Sequence, residues 1–215
     1  MLKAIDQSLY CLTSDHSNDT HAKQILNLSK VGIKLIQVRS KNSLRNSSPN
    51  ELSESIQKAK SFGSSVILND SVDLVAELNA DGVHLGTDDC DPLIAREILG
   101  DRKVIGSTVH SLEGAESIKE KGVSNYIGIG PIRKSKTKKD LVPKLSLQKV
   151  KEIVSFLHPI PSFLIGGLTH NDFQLLRKTG AIGICVCSSL STKFEFGANL
   201  KLFLEEKSKY DGRNN

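Results

Sequence analysis

A single (β/α)8 barrel is the fold class that this sequence predicts, and length, strand count and alternation are the grounds for it. At 215 residues the chain has the size of one α/β barrel. Short apolar, β-branched runs recur about eight times along it. Between them lie about eight amphipathic stretches, many ended by glycine, so the sheet should be parallel and covered by helices. An open doubly wound sheet is the alternative for the same alternation, but the closed barrel fits the count better.

Taken in order, 8–13 (SLYCLT) reads as the first strand and 15–20 as a polar loop able to cap the first helix. That helix is expected over 21–30, with Ile25, Leu28 and Val31 on one side and Gly32 at its end. The second strand is 34–39 (KLIQVR), followed by a Ser/Asn/Pro loop at 42–50, longer than usual, and a helix at 51–62 stopped by Gly63. Strand three (SSVILND) finishes in Asn69-Asp70 and precedes a helix at 72–78. A short fourth strand, 81–86 (DGVHLG), leads to a helix opened by Asp91-Pro92 and closed by Gly100. Strand five (103–110, KVIGSTVH) precedes a helix over 111–121 that ends at Gly122.

The sixth strand starts at Tyr126 and breaks at Gly130-Pro131, and six of the seven residues from 132 to 138 are basic or carry a hydroxyl. A largely apolar helix is expected at 147–157, ahead of Pro159 and Pro161. Strand seven (162–167, SFLIGG), a helix at 171–178 with Gly180 at its end, and strand eight (182–188, IGICVCS) complete the barrel. A last amphipathic helix takes in Leu200, Phe203 and Leu204. Residues 1–206 are therefore read as one barrel domain and 207–215 as a frayed polar tail.

The net charge of +5 favours anionic partners and says nothing about fold. No apolar run reaches the length of about 18 residues that a membrane span needs. The N-terminal residues MLKAIDQSLYCL lack the pattern of a secretory signal. Cys11, Cys90, Cys185 and Cys187 have no CxxC pair or zinc spacing, so they are expected to be reduced and cytoplasmic.

In a barrel, chemistry collects where strands end. Those ends offer Gln37, Arg39 and Lys41 on one side of strand two, Asn69 and Asp70 after strand three, and Asp88 and Asp89 after strand four. Strand five adds Ser107 and Thr108, and strand six runs into the Ser/Thr/Lys loop. Gly166-Gly167 and Cys187-Ser188 close strands seven and eight, and the loops there commonly hold a phosphate on backbone N–H groups. Three cations exceed the need of one phosphate monoester, while Asp70 and Asp89 would repel a phosphate unless a hard cation sat between. Mg²⁺ is often held by one or two carboxylates plus substrate phosphates. A metal-bound diphosphate and a second molecule with one phosphate are the ligands inferred. His84 and His110, in or beside apolar runs, read as hydrogen-bonded structural residues rather than catalysts.

Taken together, QVRSK at 37–41, ND at 69–70, DGVHLGTDD at 81–89, YIGIGPI with SKTK at 126–138, IGG at 165–167 and the CS of strand eight resemble the thiamin phosphate synthase family. The likeness runs from about Leu9 to Leu204 and implies a cytoplasmic, homo-oligomeric TIM-barrel transferase. Such enzymes join hydroxymethylpyrimidine diphosphate to hydroxyethylthiazole phosphate with Mg²⁺, releasing pyrophosphate and giving thiamin monophosphate. Carried onto this chain, the resemblance assigns Gln37, Arg39, Lys41, Asn69, Thr108 and Lys138 to the pyrimidine diphosphate, with Arg39, Lys41 and Lys138 as the catalytic cations. It assigns Asp70 and Asp89 to Mg²⁺, and Ser135, Lys136, Thr137, Gly167, Cys187 and Ser188 to the thiazole phosphate. Thr87, Thr108, Lys134 and Cys187 depart from the family's usual Gln, Ser, Pro and Ile, respectively; Thr for Ser keeps the hydroxyl, whereas Lys134 removes a rigid turn residue.

Two other readings compete. A thiazole tautomerase of the same barrel family would not need the full diphosphate and metal set, and Arg39, Lys41, Asn69, Asp70, Asp89 and Lys138 are all present. A nucleic-acid module built on 133–139 would want aromatic residues among the basic ones, and none is there.

Overall fold

The computed structural model describes residues 7–40, 47–133, 143–190 and 196–212. Its strands are β1 Leu9–Leu12, β2 Leu35–Val38, β3 Ser65–Asn69, β4 Gly82–Leu85, β5 Val104–Val109, β6 Tyr126–Ile129, β7 Ser162–Ile165 and β8 Gly183–Val186. Each pairs in parallel with the next and β8 pairs with β1, so the sheet closes into the expected barrel. Helices α1 His21–Lys30, α2 Pro49–Ser61, α3 Leu74–Glu77, α4 Pro92–Leu99, α5 Leu112–Lys121, α6 Leu147–Leu157, α7 Gln174–Thr179 and α8 Phe196–Asp211 alternate with them. No helix among the described residues is long and apolar enough to cross a membrane.

Strand alternation divides the apolar residues into two cores. One face of each strand packs under the helices, where Ile36, Val66, Val83, Ile105, Ile127, Leu164 and Ile184 meet the buried sides of α1, α2 and α6. The other face fills the barrel with Tyr10, Leu12, Leu35, Ile67, Val104, Tyr126, Phe163 and Cys185. The rings of Tyr10, Tyr126 and Phe163 meet edge to face with centroids 5.4–5.8 Å apart, a favoured aromatic geometry. Room for them comes from glycine. A Cβ on Gly106 would lie 2.1 Å from Tyr126 Cζ, and one on Gly183 would lie 2.8 Å from the Phe163 ring.

Several boundaries differ from expectation for local reasons. The second helix starts at Pro49 rather than 51, because Ser48 and Glu51 form a reciprocal capping box with proline in the first turn. The third helix is a single turn, Leu74–Glu77, with no side-chain cap. A 3₁₀ turn, His170–Phe173, precedes α7. The polar tail expected from 207 is helical as far as Asp211: Ser8 Oγ donates to Asp211 Oδ1 at 2.7 Å, and the Tyr210 ring sits 6.0 Å from Phe173. One apolar ring and one carboxylate hold a turn that composition alone reads as fraying.

Candidate active site at the barrel mouth

β2 delivers Gln37 into the barrel, buried, and Arg39 to the rim, half-buried. The backbone N–H of Arg39 donates to Thr13 Oγ1 at 3.1 Å. The Thr13 hydroxyl, so occupied, has its proton available for His21 Nδ1 at 2.7 Å, and His21 Nε2 then donates to Asp15 Oδ1 at 2.9 Å. Ser40 Oγ donates to the same Asp15 oxygen at 2.8 Å. The loop after β1 thus holds the backbone on which Arg39 is carried. Sequence reading missed this cluster because it treats 15–20 only as a cap.

β3 ends in Asn69, half-buried, and Asp70, whose φ of 63° lies in the left-handed region. Asp and Asn tolerate that region better than most residues because their short side chains can bond locally. Asp70 is tied down by its N–H to the His84 carbonyl at 2.9 Å. After β4, the Gly86 N–H donates to Asp89 Oδ2 at 2.6 Å, and a Cβ on Gly86 would stand 2.8 Å from that oxygen. Glycine therefore lets the Asp89 carboxylate fold back over the strand end.

The result is that the Asp70 and Asp89 carboxyls come within hydrogen-bonding reach of each other. Lost hydration, the hydrogen bond with Asp89 and repulsion from it push Asp70 up to about 7, against the opposing pull of Arg39 and Asn69. Both residues are exposed at the rim. Among the described residues no group of three His, Cys, Asp or Glu gathers as a metal cage. Two adjoining carboxylates open to the mouth are instead the donor set that suits a hard cation sharing its shell with a ligand.

Across the mouth, Thr108 on β5 is half-buried and hydrogen-bonded to His84 Nε2 at 2.9 Å. The ends of β6 and β7 lie against one another: a Cβ on Gly130 would be 2.2 Å from the Ile165 carbonyl oxygen, and one on Gly166 would be 2.8 Å from Pro131. Gly166 and Gly167 both have positive φ, 105° and 62°, which leaves the backbone bare at this point. Cys187 is half-buried; its thiol is pushed up by burial, partly offset by Arg39 and Ser14. Ser188 lies in a turn beyond β8, with α8 beginning at Phe196, so the helix start that often accompanies a phosphate-binding loop is not at Ser188 itself. Ser189, beside it, carries the one buried side-chain polar atom without a hydrogen bond among the described residues.

Gln37, Arg39, Asn69, Asp70, Asp89, Thr108, Gly167, Cys187 and Ser188 thus all stand at the C-terminal end of the barrel or just inside it. Lys41, Ser135, Lys136, Thr137 and Lys138, together with Lys134, lie outside the described residues. Arg133, at the edge of the basic stretch, pairs with the buried Asp172 at 2.6 Å and so is spent on structure. Of the two histidines read as structural, His110 bonds the Gly130 carbonyl, and His84 is buried between two hydroxyls.

Fold and mouth together define a (β/α)8-barrel enzyme. Comparison with known proteins makes this particular: the thiamine monophosphate synthase family model matches residues 9–190. The chain belongs to that family and is, by that membership, a transferase of thiamin biosynthesis. It is 33% identical over 205 residues to the thiamine-phosphate synthase of Lawsonia intracellularis, covering 94% of this chain and 92% of that one. The thiamine-phosphate synthase of Halalkalibacterium halodurans is 31% identical over 187 residues, 86% of this chain and 88% of the relative. Among solved structures, the thiamine phosphate pyrophosphorylase of Pyrococcus furiosus superposes with a TM-score of 0.81 at 24% identity over 97% and 98% of the two chains. A 3-hexulose-6-phosphate synthase does so at 0.71 with 12% identity over 93% and 99%, and at these identities both likenesses speak for the fold alone. The resemblance read from the motifs is borne out.

Proposed function

We propose that the chain condenses hydroxymethylpyrimidine diphosphate with hydroxyethylthiazole phosphate, giving thiamin monophosphate and pyrophosphate. The observation that carries this reading is the Asp70–Asp89 carboxyl pair beside Arg39. Repelling carboxyls on an anion-binding rim make chemical sense when they share a cation with a diphosphate. The pair fits Mg²⁺, which Asp70 and Asp89 would hold together with oxygens of the bound diphosphate. Bound there, the ion would neutralise charge on the departing diphosphate.

The chain's own residues then have two tasks. Arg39, with Lys41 and Lys138, stabilises charge as the C–O bond to the diphosphate breaks and its electron pair leaves with pyrophosphate. Gln37, Asn69 and Thr108 hold the pyrimidine so that its exocyclic carbon faces the second substrate. The thiazole nitrogen supplies its lone pair to form the new C–N bond, so neither an activated nucleophile nor a general base is required. Alignment of the two molecules carries much of the remaining work. Gly167, Cys187, Ser188 and the loop residues Ser135, Lys136 and Thr137 place the thiazole phosphate. The unpartnered Ser189 Oγ is a further donor for that group.

Incubating the purified chain with both phosphorylated halves, with and without Mg²⁺, tests this directly. Thiamin monophosphate should form only with the metal. A folded chain that forms no thiamin monophosphate but isomerises a thiazole carboxylate would be a tautomerase instead.

A further inference from the structure

Five polar side chains from five strands form one hydrogen-bonded line through the barrel. Gln37 Nε2 donates to Tyr10 Oη at 2.8 Å, and Tyr10 Oη meets Tyr126 Oη at 2.9 Å. Tyr126 Oη lies 3.0 Å from His84 Nδ1, and His84 Nε2 lies 2.9 Å from Thr108 Oγ1. The line is sealed for most of its length: Gln37 is 2% exposed, Tyr10 1%, Tyr126 0% and His84 7%, whereas Thr108 opens to the mouth. Packing leaves its members little freedom. The His84 ring stacks on Tyr126 with centroids 5.5 Å apart, and a Cβ on Gly128 would meet His84 Cε1 at 3.3 Å.

With the Gln37 amide nitrogen toward Tyr10, proton counting gives the sense of every other bond in the line. Because Gln37 donates to Tyr10, the phenolic proton of Tyr10 must go to Tyr126. The proton of Tyr126 then goes to His84 Nδ1, which must accept. His84 therefore keeps its single proton on Nε2 and gives it to Thr108. Run in the opposite sense with that amide in place, the line would point the Tyr10 proton at the Gln37 N–H, a donor, and an unmade buried hydrogen bond is costly. Burial also pushes His84 down to about 4, in keeping with a neutral ring.

We propose that Tyr10, Tyr126 and His84 are positioning residues whose buried hydrogen-bond line fixes Thr108 as a donor to whatever the mouth binds. The Thr108 oxygen is occupied by His84, so its own proton is the part left for a ligand acceptor, such as a ring nitrogen or phosphate oxygen. Gln37, at the far end, is held in the matching sense. The two ends are coupled: a flip of the Gln37 amide would reverse the line and turn Thr108 into an acceptor. This rests on the synthase reading only for what the ligand is, and not for the sense of the line.

The ring tautomer of His84 is the first readout. Long-range proton–nitrogen NMR on the nitrogen-labelled full chain, with the His84 signals assigned by their loss in His84→Gln, should show a neutral ring protonated on Nε2. A ring protonated on Nδ1, or a doubly protonated ring at neutral pH, overturns the proposal whether or not the chain makes thiamin monophosphate. The second readout is a double-mutant cycle. Tyr126→Phe should weaken binding of the pyrimidine diphosphate about tenfold, the scale of one misaligned hydrogen bond. In a Thr108→Val background it should change nothing further, and Thr108→Ser should restore the effect. Independent, multiplicative losses would mean that Tyr126 supports only the fold.

Discussion

Metal binding at the mouth should expel a proton, and the amount follows from the Asp70–Asp89 contact. With Asp70 at about 7 in the metal-free chain, about half of its carboxyls are protonated at pH 7, about nine-tenths at pH 6 and about one-tenth at pH 8. A cation requires the ionised form. Magnesium titrated into the chain should therefore release about half a proton per site at pH 7, about 0.9 at pH 6 and about 0.1 at pH 8. Calorimetry in buffers of differing ionisation enthalpy counts those protons. The same group sets a stability trend. Its folded value exceeds the ordinary 3.8, so the folded chain binds more protons than the unfolded one between about pH 4 and 7. Metal-free protein should lose stability as pH rises through that window, and Asp70→Asn, which suits the left-handed backbone, should flatten the trend. Heats that are independent of buffer, with proton release absent at pH 6, would show that the two carboxyls do not share a site.

Three further outcomes are expected. Arg39→Ala and Lys138→Ala should each lower turnover by about 10²–10³ while the chain stays folded, the loss of about 2.7–4 kcal/mol from one charged contact to the leaving group; unchanged steady-state kinetics would remove either residue from the site. Gly106→Ala should destabilise the barrel by about 1–3 kcal/mol in denaturant unfolding, because the new Cβ would fall 2.1 Å from Tyr126 Cζ in a ring held by Tyr10 and His84; an unshifted midpoint would mean that the ring moves freely. Arg133→Met should lower unfolding stability by about 1–3 kcal/mol, since the buried Asp172 carboxylate would keep only the Thr169 N–H and hydroxyl at 2.8 and 3.0 Å; the same variant should leave turnover nearly intact.

Local, repeating features were the legible part of the sequence. Alternation along KLIQVR predicts that Gln37 and Arg39 share a side, and the register places Gln37 inside the barrel with Arg39 above it. Asn69-Asp70 and the DGVHLG run mark the ends of β3 and β4, because a short strand must stop where its charges begin. Pairings between distant segments were not legible. Tyr10 and Tyr126 stand 116 residues apart, and each reads alone as an apolar strand residue with a spare hydroxyl. Arg133 looks like part of a basic run until Asp172, 39 residues on, is brought beneath it. Ser48-Pro49-Asn50-Glu51 did carry a capping-box signal, but it sits in a Ser/Asn stretch that composition assigns to a loop.

The buried line and the rim charges make opposite demands on the same barrel end, and the fold meets them by separating them along the axis. A carboxylate pair gains its use from water and ligand access, so Asp70 and Asp89 lie on turns beyond the strands. A proton-ordered line needs the reverse, because bulk water would offer every member an alternative partner and erase its sense. Its tyrosines and histidine accordingly lie within β1, β4 and β6, walled by Phe163 and admitted by Gly106 and Gly128. The Asp70 N–H to His84 carbonyl bond joins the two levels through the backbone. That bond puts the ring that orients Thr108 on the same strand end that anchors a carboxylate. On the proposed reading, a ligand on Thr108 and a cation on Asp70 would be referred to one element, as two groups that must meet across a breaking bond require.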